Sequence, residues 1–131
     1  REPSALKLSV REMREKMRSQ LSKAEAGKFD LKQAPGGIAD IEFMVQYGVL
    51  AWAYEHPRLV QFSDNIRLLE NFAQCGLMAD DESALLCDVY RAYRRRAHHL
   101  TLQERPVEVD ETEFVKERDA VLHLWRKLLQ A

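Results

Sequence analysis

Glycine and proline are scarce, five and four in 131 residues. So few backbone breakers leave long stretches free to be helical. Runs of alternating β-branched residues are absent, which removes the usual sign of a sheet. No apolar run reaches the roughly 18 residues that a membrane span requires, so no membrane partner is expected. A charge excess of either sign is lacking as well: 20 basic side chains face 21 acidic ones. That balance argues against nucleic acid as a partner. Cys75 and Cys87 are too few for a disulfide framework or a cysteine metal site. They are expected as buried or half-buried thiols in a reducing compartment, and the location as cytoplasmic. The start, Arg-Glu-Pro-Ser, is not that of a signal peptide, and the missing initial Met suggests an excised piece.

What is present is an ordinary globular composition, 46% hydrophobic, at a length that suits one domain spanning residues 1–131. The periodicity predicts an all-α bundle of about five helices, with one short extended connector before the second. The first helix is predicted over Ser4–Ala26, its stripe formed by Leu6, Val10, Met13, Met17, Leu21 and Ala24. Arg11, Arg14, Glu15 and Arg18 lie off that stripe, and Gly27 is the expected cap. Lys28–Gly37 is the extended connector. A second helix over Ile38–Glu55 is apolar almost all round and therefore central. Gly48 within it suggests that a neighbouring backbone passes close. A third helix covers Ser63–Cys75, capped by Ser63 or Asp64, with Ile66, Leu69, Phe72 and Ala73 inward. A fourth runs from an N-cap at Asp80 to Gln103, with Leu86, Val89, Tyr93, Ala97 and Leu100 as its seam. Val107–Val109 breaks the pattern. A fifth is predicted over Asp110–Gln130, opened by an Asp110/Glu113 capping box.

Three features could carry chemistry. Pro35-Gly36-Gly37 leads into a helix, where free N–H groups favour anions, but it lacks the Walker and Rossmann patterns and also suits a plain tight turn. Asp40 and Glu42 point about 200° apart on a helix and cannot share a metal. Asp40 suits a helix N-terminus or an arginine partner, and Glu42 a different neighbour. Arg91, Arg94 and Arg95, with His98, form a basic stripe opposite the seam of the fourth helix. Such a stripe is either a solvated face or a docking patch for an acidic partner or a phosphate. No catalytic residues and no metal ligands are expected, since no nucleophile sits beside a base and no histidine has a ligand at helical spacing.

Three segments resemble the glutamine synthetase adenylyltransferase family: VREMREKMR at Val10–Arg18, FDLKQAPGGIADIEFMVQY at Phe29–Tyr47 and FSDNIRLLE at Phe62–Glu70. Members pair nucleotidyltransferase and helical domains in two halves. One half transfers AMP from ATP to a tyrosine of glutamine synthetase; the other removes it by phosphorolysis. The Ala39-Asp40 pair within GGIADIEF resembles the adenylylating half. The resemblance implies a C-terminal fragment of a larger nucleotidyltransferase, without a cofactor of its own. Mg2+ and ATP would belong to the full-length enzyme. Glutamine synthetase, the PII signalling protein and the enzyme's own nucleotidyltransferase domain are the implied partners. Lys32, Gly36, Gly37, Asp40 and Glu42 would face that domain or its active-site cleft. Two alternatives are the related helical domain of the PII uridylyltransferase and a stand-alone helical adaptor docking through Arg91–Arg95.

Overall fold

A computed structural model describes residues 3–21, 25–62 and 64–130. It contains α1 (Pro3–Leu21), β1 (Lys28–Asp30), α2 (Ile38–Trp52), a 3-10 turn (Pro57–Gln61), α3 (Asn65–Gln74), α4 (Asp80–Leu102), β2 (Glu108–Asp110) and α5 (Val115–Trp125). The last helix runs on into a π turn over Arg126–Gln130. The predicted all-α bundle is therefore present, with one small ribbon added. α2 is its centre and packs against α1, α3, α4 and α5. Its buried face joins Ile41, Met44 and Val45 to Phe72, Leu86, Tyr93 and Val121. The seam Leu86–Val89–Tyr93–Ala97–Leu100 is buried throughout, as the spacing predicts.

Several expectations need correction. The stripe of α1 is not the predicted one: Leu6 and Val10 are buried, but Met13 is 59% exposed and Leu21 is exposed. The buried position after Val10 is Arg14, four residues on, so a step of four decides the inner face. The chain has left the helix by Glu25, where Lys28 N–H donates to the Glu25 carbonyl. Gly27, at φ +81°, serves the turn into β1 rather than a helix cap. The expectations for Ala24 and Ser63 fall outside the described residues.

α2 stops at Trp52 rather than Glu55. Gly48 does sit under a close neighbour, but that neighbour is an aromatic pair and not a backbone. A Cβ there would lie 2.6 Å from the Phe72 ring and 2.9 Å from Trp52. α3 is capped by Asp64, whose carboxylate accepts from Ile66 N–H at 2.7 Å. Leu68, Leu69, Asn71 and Phe72 form its buried side, with Ile66 and Ala73 half-buried. The N-cap of α4 is Ala79, so Asp80 is already in the helix; the Glu82 carboxylate accepts from Ala79 N–H at 3.2 Å.

The segment expected only to break the helix pattern, Val107–Val109, contributes β2. It pairs antiparallel with β1, placing Phe29 opposite Val109, both buried. This displaces the predicted start of α5. Asp110 ends β2 and its carboxylate accepts from Thr112 N–H at 3.0 Å, a local turn and not a capping box. Glu113 instead meets Arg96 at 3.3 Å. α5 begins five residues later, after Phe114 at φ +59°. Cys75 is half-buried and Cys87 buried, both as free thiols. Among the described residues, no helix is long and apolar enough to cross a membrane.

Candidate functional site

The start of α2 is where the chain's unusual residues converge. Gly36 takes φ +82°, and a Cβ on it would lie 2.9 Å from the Arg118 carbonyl oxygen. A Cβ on Gly37 would lie 2.6 Å from the Leu31 carbonyl oxygen. Both glycines are therefore set by close backbone approach. Their N–H groups are used internally: Gly36 donates to Asp40 at 2.7 Å, and Gly37 to the Ala34 carbonyl at 2.9 Å. Ile38 and Ala39 donate to the carbonyls of Leu31 and Lys32. The anion cradle considered from the sequence is thus filled by the protein's own acceptors, and the tight turn stands in its place.

Asp40 is 1% exposed, at the positive end of α2. Its Oδ1 accepts from Arg14 Nε at 2.6 Å and from Arg18 at 3.2 Å; its Oδ2 holds Gly36. Arg14, also 1% exposed, donates further to the Gln33 carbonyl at 2.6 Å and to the Gln33 side chain at 3.2 Å. Both expected partners of Asp40, a helix start and an arginine, are present together. Arg14, expected off the stripe, is the residue the spacing misplaced. A charged residue in an apolar row reads as solvent-facing, and only the pairing reverses that. The Gly36 carbonyl is held from the other side by the Tyr93 hydroxyl at 2.8 Å. Burial pushes that hydroxyl's pKa well up, so it stays a donor.

Glu42 does face a different neighbour. It accepts from the Tyr90 hydroxyl at 3.0 Å, and Asn65 donates to the same hydroxyl at 3.1 Å. Burial, then the Glu42 charge, raises the Tyr90 pKa. Arg94 stacks over the Tyr90 ring at 5.7 Å.

Lys32, Glu42, Arg94, Arg95 and His98 meet around one groove of about 620 Å³, between the connector, α2 and α4. Two sets of residues far apart in sequence thus share one surface, while Gly36, Gly37 and Asp40 are buried and do not line it. Arg91 is exposed on α4 outside this lining and sits 3.8 Å from Asp88. Among the described residues, no group of three His, Cys, Asp or Glu side chains is placed to hold a metal.

The architecture defines a class: a helical bundle domain whose central helix is clamped at its start by a buried ion pair. Residues 7–112 match the family model described as GlnD PII-uridylyltransferase, and the chain belongs to that family. It is 58% identical over 130 residues to the bifunctional glutamine synthetase adenylyltransferase/adenylyl-removing enzyme of Nitrosococcus oceani. It is 48% identical over 130 residues to the protein of the same name from Thioalkalivibrio sulfidiphilus. Each alignment covers 99% of this chain but only 13% of the relative, so the chain spans about an eighth of these relatives' length.

Proposed function

We propose that residues 1–131 are a single helical domain of a larger nucleotidyltransferase, the C-terminal domain of its adenylylating half. The whole enzyme transfers AMP from ATP to a tyrosine of glutamine synthetase, and its other half removes that AMP by phosphorolysis, regulating nitrogen assimilation in the cytoplasm. The observation that carries this reading is 58% identity to an adenylyltransferase across 99% of the chain. Mg2+ and ATP belong to the neighbouring catalytic domain. The residues here do not fit them, because the donors at the start of α2 are spent on Asp40 and on backbone carbonyls. The fragment alone is therefore silent. Its role is to support the nucleotidyltransferase domain, with the Lys32–Glu42 surface facing that domain. Arg91, Arg94 and Arg95 form a docking patch for glutamine synthetase, the PII protein or the catalytic domain itself. The test is adenylylation of glutamine synthetase by the parent enzyme with and without this segment. Unchanged transfer after its removal sinks the reading.

The matched family model favours a second reading, a helical domain of a PII uridylyltransferase. The identity to adenylyltransferases over 99% of this chain outweighs it. Uridylyl transfer to PII by the parent enzyme would reverse that ranking.

A further inference from the structure

The cations of this chain are unevenly paired. Arg14 and Arg18 meet Asp40, Arg91 meets Asp88, Arg96 meets Glu113 and Lys127 meets Glu82. Among the described residues, no carboxylate lies within ion-pair distance of Lys32, Arg94, Arg95 or His98. A chain of net charge −1 has therefore gathered three uncompensated cations, Lys32, Arg94 and Arg95, around one groove, with His98 beside them. The one carboxylate there, Glu42, is held by the Tyr90 hydroxyl. The floor between the basic side chains includes Ile38 and Ala97.

We infer that this groove binds an extended acidic polypeptide segment, whose carboxylates meet Arg94, Arg95, His98 and Lys32. The inference rests on the docking role proposed above for Arg94 and Arg95 and names the chemistry of the occupant. Charge complementarity requires an acidic partner. Three observations favour a peptide over a small phosphate. The N–H donors at the start of α2 are already used, so no cradle converges on one anion. The basic groups are spread, not focused: Arg94 and His98 are four residues apart on α4, about 6 Å along the axis. Alternate residues of an extended chain are about 6.6 Å apart, so acidic side chains two apart match that spacing. The apolar floor gives an aliphatic side chain somewhere to go, which a phosphate does not need. Arg94 is pre-set by its stacking on Tyr90 and loses less freedom on binding.

The experiment is fluorescence anisotropy of the 131-residue chain with a short fluorescein-labelled peptide of alternating glutamate and leucine, at low salt. Saturable binding is expected. Arg94→Glu with Arg95→Glu should weaken it by about tenfold or more, since like charges replace opposite ones. Lys32→Glu, on the opposite wall, should weaken it too and serves if the double variant melts early. Lys116→Glu, an exposed change on α5 outside the groove, should leave the affinity within about twofold. No saturable binding, or an equal loss from Lys116→Glu, overturns the inference. So does displacement by inorganic triphosphate at concentrations equal to the peptide's, which would make this a simple anion site. Peptide binding does not use AMP transfer, so this test and the adenylylation test fail independently.

Discussion

Asp40 in the first turn of α2 accepts the Nε proton of Arg14 from α1 at 2.6 Å, and neither side chain is more than 1% exposed. The pair joins two helices and, through the 2.7 Å bond from Gly36 N–H, also fixes the turn that starts the central helix. Arg18 adds a second, partly exposed cation at 3.2 Å.

Asp40→Ala should therefore be among the most destabilising single changes. It leaves Arg14 buried without its counter-ion, and breaking such a pair costs about 3–5 kcal/mol. Arg14→Met with Asp40→Leu should cost less than Asp40→Ala alone, because no unpaired charge remains. Urea melts of the three proteins check this. An Asp40→Ala midpoint equal to wild type would show that the pair contributes nothing.

At Gly48 two effects oppose each other. Alanine is favoured over glycine within a helix by about 1 kcal/mol. A Cβ at 2.6 Å from the Phe72 ring must push that ring aside, and overpacking costs about 1–3 kcal/mol. The ring is also stacked edge-on against Trp52 at 5.1 Å, so it has little room to give. Gly48→Ala should lower stability, and Phe72→Leu in the same chain should recover part of the loss. A double-mutant cycle with no coupling would refute the steric account.

Much of this was legible in the sequence, and the failures share a cause. The seam of α4 and the central place of α2 follow from apolar spacing, which depends on each helix alone. Asp40 was legible as a residue that needs a partner, because a carboxylate at the start of an apolar helix is costly unless paired. Arg14 was not legible as that partner. Its burial depends on Asp40, 26 positions away, and a local pattern counts it as surface. β2 was missed for the same reason, since three residues become a strand only when Lys28–Asp30 lies beside them. Asp110 and Glu113 have the spacing of a capping box, but the ribbon claims the first and Arg96 the second. Lys32, Arg94 and Arg95 were each visible as charges; that they share a groove follows from the packing of α2 on α4.

The Glu82–Lys127 contact at 2.5 Å ties the start of α4 to the end of the chain. The Lys127 hydrogen bond chiefly holds the Glu82 carboxyl below its usual range. A depressed folded pKa means the contribution is fully present above the ordinary value of about 4.3 and is lost as pH falls through the lower folded value. Glu82→Gln should thus lower stability slightly at pH 7 and converge with wild type in acid, which flattens the acid limb of stability against pH. The effect is small, because Lys127 is largely exposed and salt screens the pair. Parallel acid melts of wild type and variant decide it, and superimposable acid limbs would rule the pair out.

The basic stripe should be dispensable for folding. Arg91, Arg94 and Arg95 are exposed, and none of them belongs to the buried seam of α4. Arg91 is half-exposed and its Asp88 partner at 3.8 Å is more exposed still, so that pair holds little. Arg94 loses its stacking on Tyr90 and a long 3.5 Å hydrogen bond to the Tyr90 hydroxyl, which keeps Glu42 and Asn65. Surface changes of this kind usually alter stability by less than about 0.5 kcal/mol each. Arg91→Gln, Arg94→Gln and Arg95→Gln combined should therefore melt close to wild type. In the parent enzyme the same triple change should weaken an electrostatically steered encounter, and raised salt should mimic it in the unchanged protein. The two effects should not add: at high salt the variant and the wild type should converge. A much lower melting point would make the stripe structural. Unchanged melting, activity and salt dependence would leave it a solvated face and remove the docking role.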